Sequence, residues 1–239
     1  MNKHGKDRDT LMSAEENREM FDRIAKNYDA ANRAISMGMD KGWRRKAIEQ
    51  LKPLRGGRYL DIGTGTGDLV FEILNQSANV VVDGVDPAEQ MLKVARNKAI
   101  KRGVGDVASF SVADALDLPM EKETYDGIVL GFCFRNIECR QKALGEMLRV
   151  LKPGGKLVIL EATYPSSAFV RLGYRLYIPL VPIIGKLLGG GPAYKYLVDS
   201  IEDFPTPQTV TDMFSAAGFS GVRHLPLTFG AVSIFSGKK

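Results

Sequence analysis

The 239-residue sequence predicts an α/β fold: a mostly parallel sheet of seven strands, helices on both faces and an antiparallel last strand. Three observations carry that expectation. From Arg58 onwards, short apolar strand-like runs alternate with segments of helical period, which argues for a parallel sheet covered on both faces. The first strand-like run, "YLDI", passes straight into the glycine turn "GTGTGD". Near the end the alternation stops, and "GVRHLPLTFGAVSIFSG" reads as two strands turning near Phe229 and Gly230.

The elements follow in order. Ala14 to Leu51 reads as mainly helical, broken around "NRAISMGMDKG", where Gly38 and Gly42 weaken a continuous helix. "RYLDI" is the first strand and "DLVFEILNQ" the helix after its glycine turn. "NVVVDGVD" is the second strand, and "PAEQMLKVARNKAIKRG" a helix with Pro87 at its start and Gly103 past its end. "VASFSVAD" and "YDGIVLGF" are the third and fourth strands, "RQKALGEMLRVLKPGG" a helix with a Pro-Gly-Gly stop, and "KLVILEA" the fifth strand. A proline-bearing apolar insert occupies about residues 165–200, before the helix "TPQTVTDMFSAAG". The expected organisation is a helical extension over 1–55 and a domain over 56–239 carrying that insert as a lid.

Composition narrows the class. Apolar residues at 44% and charged residues at 26% are ordinary for a soluble globular protein. Two cysteines, Cys133 and Cys139, give no disulfide framework, so a cytoplasmic protein is expected. The two histidines lie far apart at positions 4 and 224, so no metal site is expected. The polar start "MNKHGKDRDT" is not a signal peptide. The uncharged run Leu176 to Gly185, ten residues, falls well short of the roughly 20 needed to cross a bilayer. The net charge of +5 is regional: residues 1–55 carry +4 and residues 165–200 carry +3. That pattern fits contact with an anionic partner and equally a solvated basic surface.

The glycine turn narrows the cofactor. Gly63, Gly65 and Gly67 run G-x-G-x-G, and Asp68 follows. A dinucleotide site wants G-x-G-x-x-G with bare helix amides for pyrophosphate, which the Asp68 carboxylate would repel. A cofactor without phosphate fits better. Acidic residues near successive strand ends agree: Asp86 for two ribose hydroxyls, Asp114 for an adenine amino group, and Asp61 for a charged amino-acid tail. Each of them alone also fits a turn or helix cap. In this order they resemble the class I S-adenosylmethionine-dependent methyltransferases of Rossmann-like fold. The cofactor set is then Asp61, Gly63, Gly65, Thr66, Asp86, Asp114 and Ala115, and the cofactor S-adenosyl-L-methionine.

"FDRIAKNYDAANRAISMGMDKGWRR", "LDIGTGTGDL", "GFCFRN", "RVLKPGGKLVILE" and "YKYLVDSIEDFP" are similar, in this order, to segments of the ubiquinone/menaquinone biosynthesis C-methyltransferases. The resemblance implies methylation of a ring carbon on a polyprenyl quinol: demethylmenaquinol first, a 2-methoxy-6-polyprenyl-1,4-benzoquinol as the alternative. Arg135 and Asn136 follow the fourth strand, which in such folds sits beside the first, so they are expected near the transferable methyl. Arg135 is expected to stabilise a phenolate, with a water held by Arg135 and Asn136 taking the proton. The resemblance adds Tyr28 as a ring-positioning or proton-handling partner, and Asn32 as part of the pocket.

Blander readings stand beside these. Arg135 also fits an ion pair with Glu138 or Glu161, Tyr28 fits core packing, Trp43 fits core better than ligand wall, and Cys133 fits a small buried hydrophobe. The sequence departs from the family at "LEATYP", at Gly131, where a serine is frequent, and at "CFRN". A bilayer-resident substrate implies peripheral contact with the inner face of the cell membrane, through Arg171, Arg175, Lys186 and Lys195 of the insert. A buried lid or a homodimer surface competes with that role. No nucleic-acid partner is expected; an RNA methyltransferase and a non-enzymatic scaffold subunit remain distant alternatives.

Overall fold

A computed structural model describes residues 12–165, 173, 177–179, 181, 183 and 191–239. Seven strands form one sheet in the order β3-β2-β1-β4-β5-β7-β6. They are β1 (Arg58–Ile62), β2 (Val81–Asp86), β3 (Ala108–Val112), β4 (Tyr125–Gly131), β5 (Leu151–Ala162), β6 (Ser220–Leu227) and β7 (Val232–Lys238). Pairing is parallel from β3 through β5, and β7 runs antiparallel to both of its neighbours. The sheet expected from sequence is therefore present, with β4 beside β1.

Alternation along each strand sorts the core into two layers. Tyr59, Val129, Val158 and Ile234 face one side, against α3 (Asp40–Leu51), α4 (Asp68–Gln76) and α5 (Glu89–Arg102). Leu60, Ile128, Ile159 and Phe235 face the other, against α6 (Arg140–Val150) and α8 (Pro207–Ala216). Helix ends follow capping chemistry. Ser13 and Glu16 form a capping box at the start of α1 (Ala14–Ile24). Thr206 caps α8 with Pro207 behind it, and Gly103 ends α5 in the left-handed conformation.

Two expectations are corrected. The Pro-Gly-Gly segment does not lie between helix and strand: α6 stops at Val150, and β5 begins at Leu151. Leu151 pairs with Tyr125, and the register then shifts so that Lys156 pairs with Gly127. Pro153 thus occupies an irregular stretch where the ladder needs no donor from it. The N-terminal segment breaks twice, since α2 (Tyr28–Ile35) is separate from both α1 and α3. Of the insert, α7 (Gly191–Glu202) is described, whereas Arg171, Arg175 and Lys186 lie outside the described residues. Among the described residues no helix is long and apolar enough to cross a membrane.

Candidate functional site

The carboxyl ends of β1, β2 and β4 converge where the sheet reverses its strand order, the usual place for a ligand crevice. A cavity of about 150 Å³ opens there, lined by Gly63, Gly65, Asp86, Asp114, Ala115 and Asn136 among others. Asp86 at the end of β2 braces the glycine turn, accepting from the Gly65 N–H at 2.8 Å and the Ala88 N–H at 2.9 Å. Gly65 itself has φ +55°, and a Cβ there would stand 3.9 Å from the Tyr28 ring.

Asp61 is almost wholly buried beneath that turn. Its Oδ2 accepts from the Thr64 hydroxyl at 2.7 Å. Its Oδ1 is buried with no partner among the described residues. Burial pushes the Asp61 carboxyl up to about 7, against the pull of the Thr64 hydrogen bond. Burial likewise raises Asp86 to about 6, although the Ala88 and Gly65 amides pull it down. An orphaned buried acceptor is costly, and a cationic donor arriving at Asp61 would relieve that cost.

A second cavity, of about 480 Å³, lies on the α2–α3 side. Its walls are mainly apolar and aromatic, including Trp43, Tyr177, Ile178 and Val181, with Arg135, Asp40 and Arg44 among them. Tyr28 and Phe132 line both cavities, so they stand at the junction. Phe132 holds φ +59°, a rare conformation for a bulky residue. Its carbonyl accepts from Arg135 Nη1 and its N–H donates to Leu160 at 2.8 Å, which fixes the strained peptide.

Arg135 is buried and anchored rather than solvent-facing. Nη1 lies 2.7 Å from Glu161 Oε1, and Nε donates to the Ser200 hydroxyl at 3.2 Å. Burial alone would lower its pKa, but the Glu161 charge and hydrogen bond raise it, so the guanidinium stays cationic. Asn136 turns the other way: it lines the smaller cavity, and its Oδ1 accepts from the Tyr196 hydroxyl at 3.2 Å. The water expected between Arg135 and Asn136 would have to bridge two different cavities. Burial raises the Tyr28 phenol, against an Asn32 hydrogen bond that lowers it.

The model of the ubiE/COQ5 methyltransferase family matches residues 10–239. The chain belongs to that family. This methyltransferase is 43% identical to a demethylmenaquinone methyltransferase from Thermus thermophilus, over 92% of the chain and 100% of that protein. It is 38% identical to a ubiquinone/menaquinone biosynthesis C-methyltransferase from Geobacter sulfurreducens, over 93% of the chain and 88% of that protein. A crystal structure of a SAM-dependent methyltransferase from Aquifex aeolicus shares the fold, with TM-score 0.60 and 19% identity, over 82% of this chain and 88% of that one.

The enzyme uses S-adenosylmethionine, and the smaller cavity presents acceptors suited to its polar groups. The Asp86 and Asp114 carboxylates in the cavity wall suit hydroxyl and amino donors; Asp61 does not line it, and its unpartnered Oδ1 lies buried beneath the turn. Two sequence arguments read differently in three dimensions. Thr66 does not line the cavity; its hydroxyl donates to Asp29 at 2.6 Å and accepts from Lys98 at 2.9 Å. Asp68 also faces that cluster, 3.0 Å from Lys98 and 3.7 Å from Arg44, so its charge is spent on cations rather than on repelling phosphate.

Sequence reasoning missed several site residues. Phe21 of α1 closes the smaller cavity, and Asp40 and Arg44 place a 2.6 Å ion pair in the wall of the larger one. Trp43, read as core, is also cavity wall, and its Nε1 donates to Thr228 at 2.8 Å. The "DKGWRR" segment carried a usable signal: a carboxylate and a guanidinium four residues apart on one helix.

Proposed function

We propose that this methyltransferase transfers a methyl group to a ring carbon of demethylmenaquinol, giving menaquinol. One observation carries the reading: the cavity at the glycine turn and a larger, mostly apolar cavity share Tyr28 and Phe132. A flat ring with an isoprenoid tail suits the larger one. The name of the Thermus thermophilus relative supports this acceptor, and the double name of the Geobacter sulfurreducens relative favours a polyprenyl benzoquinol as the second reading. In this reading residues 1–55 form the acceptor-side extension, since α2 and α3 supply Tyr28, Asn32, Asp40 and Trp43.

When bound, the cofactor supplies an electrophilic methyl on a sulfonium. The ring carbon beside a hydroxyl becomes nucleophilic as that hydroxyl loses its proton. Arg135, held cationic by Glu161, stabilises the phenolate. An arginine is a poor base; the Asp40 carboxylate, which faces the same cavity, accepts the proton. Methylation of that carbon would leave a ring proton to be lost to water, restoring aromaticity, and the Asp40 carboxyl would then return its proton to the phenolate oxygen. Tyr28, kept neutral by burial, orients the ring by hydrogen bonding. Asn136 positions the donor side. The tail keeps the acceptor in a bilayer, so peripheral membrane contact belongs to the same reading.

Purified protein incubated with S-adenosylmethionine and demethylmenaquinol in detergent tests it, the product being identified by mass. The expected product is menaquinol. A methylated benzoquinol alone would transfer the assignment to the second reading, and no methylated quinol from either acceptor would overturn both.

A further inference from the structure

We propose that two loop tips at the mouth of the larger cavity seat this protein on an anionic lipid bilayer, so that the acceptor enters from the membrane through that mouth. The surface is argued from its own geometry and rests on the quinol reading only for what enters.

Met37, Met39 and Phe229 line the cavity and yet face solvent, with 69%, 38% and 85% of their surfaces exposed. Large apolar side chains grouped around a cavity mouth mark an interaction site. The backbone sharpens the point. Met37 has φ +51° and is followed by Gly38 at +79°; Phe229 has φ +56° and is followed by Gly230 at +88°. Each tip thus holds a bulky apolar residue in a conformation that glycine or asparagine would adopt more cheaply. Neither side chain is buried in exchange, so folding alone does not explain the choice. Trp43 of α3 donates to Thr228 at 2.8 Å, which ties the second tip to the helix that follows the first. The two tips therefore form one surface.

The charge around them selects the partner. Arg33 and Lys41 are exposed on either side of Met37. Asp40 is the one carboxylate between Asp29 and Glu49, and it is buried and paired with Arg44. Residues 213–239, which include the second tip, bring no Asp or Glu side chain of their own. Apolar tips flanked by the exposed cations Arg33 and Lys41 suit the headgroup region of an anionic bilayer, although Arg33 also feels the Asp68 carboxylate. A second copy of the chain would bring like charges together at the same place.

Co-sedimentation with vesicles tests this without any methylation step. Phosphatidylcholine vesicles are compared with vesicles containing phosphatidylglycerol, at low and high salt. The wild-type protein is expected to sediment with the anionic vesicles, and less so as salt rises. Met37→Ser with Phe229→Ser should weaken that partitioning by roughly tenfold or more. Arg33→Gln and Lys41→Gln should each weaken it about fivefold at low salt and leave high-salt binding unchanged. Thermal unfolding of each variant checks that the fold persists. Absence of wild-type binding to anionic vesicles at low salt overturns the proposal, as does a serine double variant that binds like wild type. Sedimentation velocity showing a dimer that the serine variant dissolves would assign the tips to self-association instead. Failure to methylate a quinol in detergent would sink the acceptor assignment and leave this surface standing.

Discussion

Glu161, at the end of β5, holds Arg135 twice: Oε1 lies 2.7 Å from Nη1, and Oε2 accepts from the Arg135 backbone N–H at 3.0 Å. Both side chains are buried, with exposures of 5% and 0%. The pair aims a guanidinium into the larger cavity while compensating its charge.

Removing one partner should therefore affect stability as well as chemistry. Arg135→Ala leaves the Glu161 carboxylate buried and unpaired, which costs about 3–5 kcal/mol in such settings. Arg135→Met with Glu161→Gln removes both charges and should recover much of that loss in chemical denaturation. Quinol turnover should stay depressed roughly a hundredfold or more in both variants. Wild-type turnover in the double variant would remove Arg135 from the mechanism.

Asp40→Asn preserves shape and removes the carboxylate in the wall of the larger cavity. Turnover should fall about a hundredfold, while calorimetry with S-adenosylmethionine should give wild-type affinity, because Asp40 does not line the smaller cavity. Wild-type turnover in this variant would remove Asp40 from the proton transfer.

Asp61 and Asp86 set a pH dependence with two opposite signs. Burial raises them to about 7 and about 6. A carboxyl raised on folding binds more protons folded than unfolded, so the free protein's stability falls as pH rises from about 4 towards about 7. Cofactor binding needs the ionised carboxylates and should strengthen over the upper part of that window. Thermal melts with and without S-adenosylmethionine should thus diverge as pH increases. Curves that stay parallel would separate both carboxylates from the cofactor.

Gly131→Ser, the residue frequent in the family the sequence resembles, should destabilise this chain by about 1–3 kcal/mol. A Cβ at Gly131 would stand 2.6 Å from Leu69 Cδ1. Combined with Leu69→Ala, it should cost less than the two separate losses added together, because the cavity left by one fills the clash of the other. Urea titration measures this directly, and strict additivity would show that the contact is not the cause.

The strand order and the glycine turn were legible because both rest on local rules. Alternation places Leu60 and Tyr59 on opposite faces, and the left-handed turn needs Gly63 and Gly65. The places of Asp61 within β1 and Asp86 at the end of β2 were readable for the same reason. Thr66 was not, because its hydroxyl direction depends on Asp29 and Lys98, which are 37 and 32 positions away. The bulge at Pro153 was hidden likewise, since it depends on where β4 begins to pair.

The amino-acid order by itself determined the sheet, the glycine turn and the family, since short-range periodicity and motif spacing survive without knowing what packs where. The tertiary structure decided the rest. Arg135 and Asn136 adjoin in sequence yet line different cavities, and Tyr28 and Phe132, far apart in sequence, line both. Side-chain direction at a strand end is set by the partners that neutralise and bury it, such as Glu161 and Ser200 for Arg135, and those partners come from distant parts of the chain.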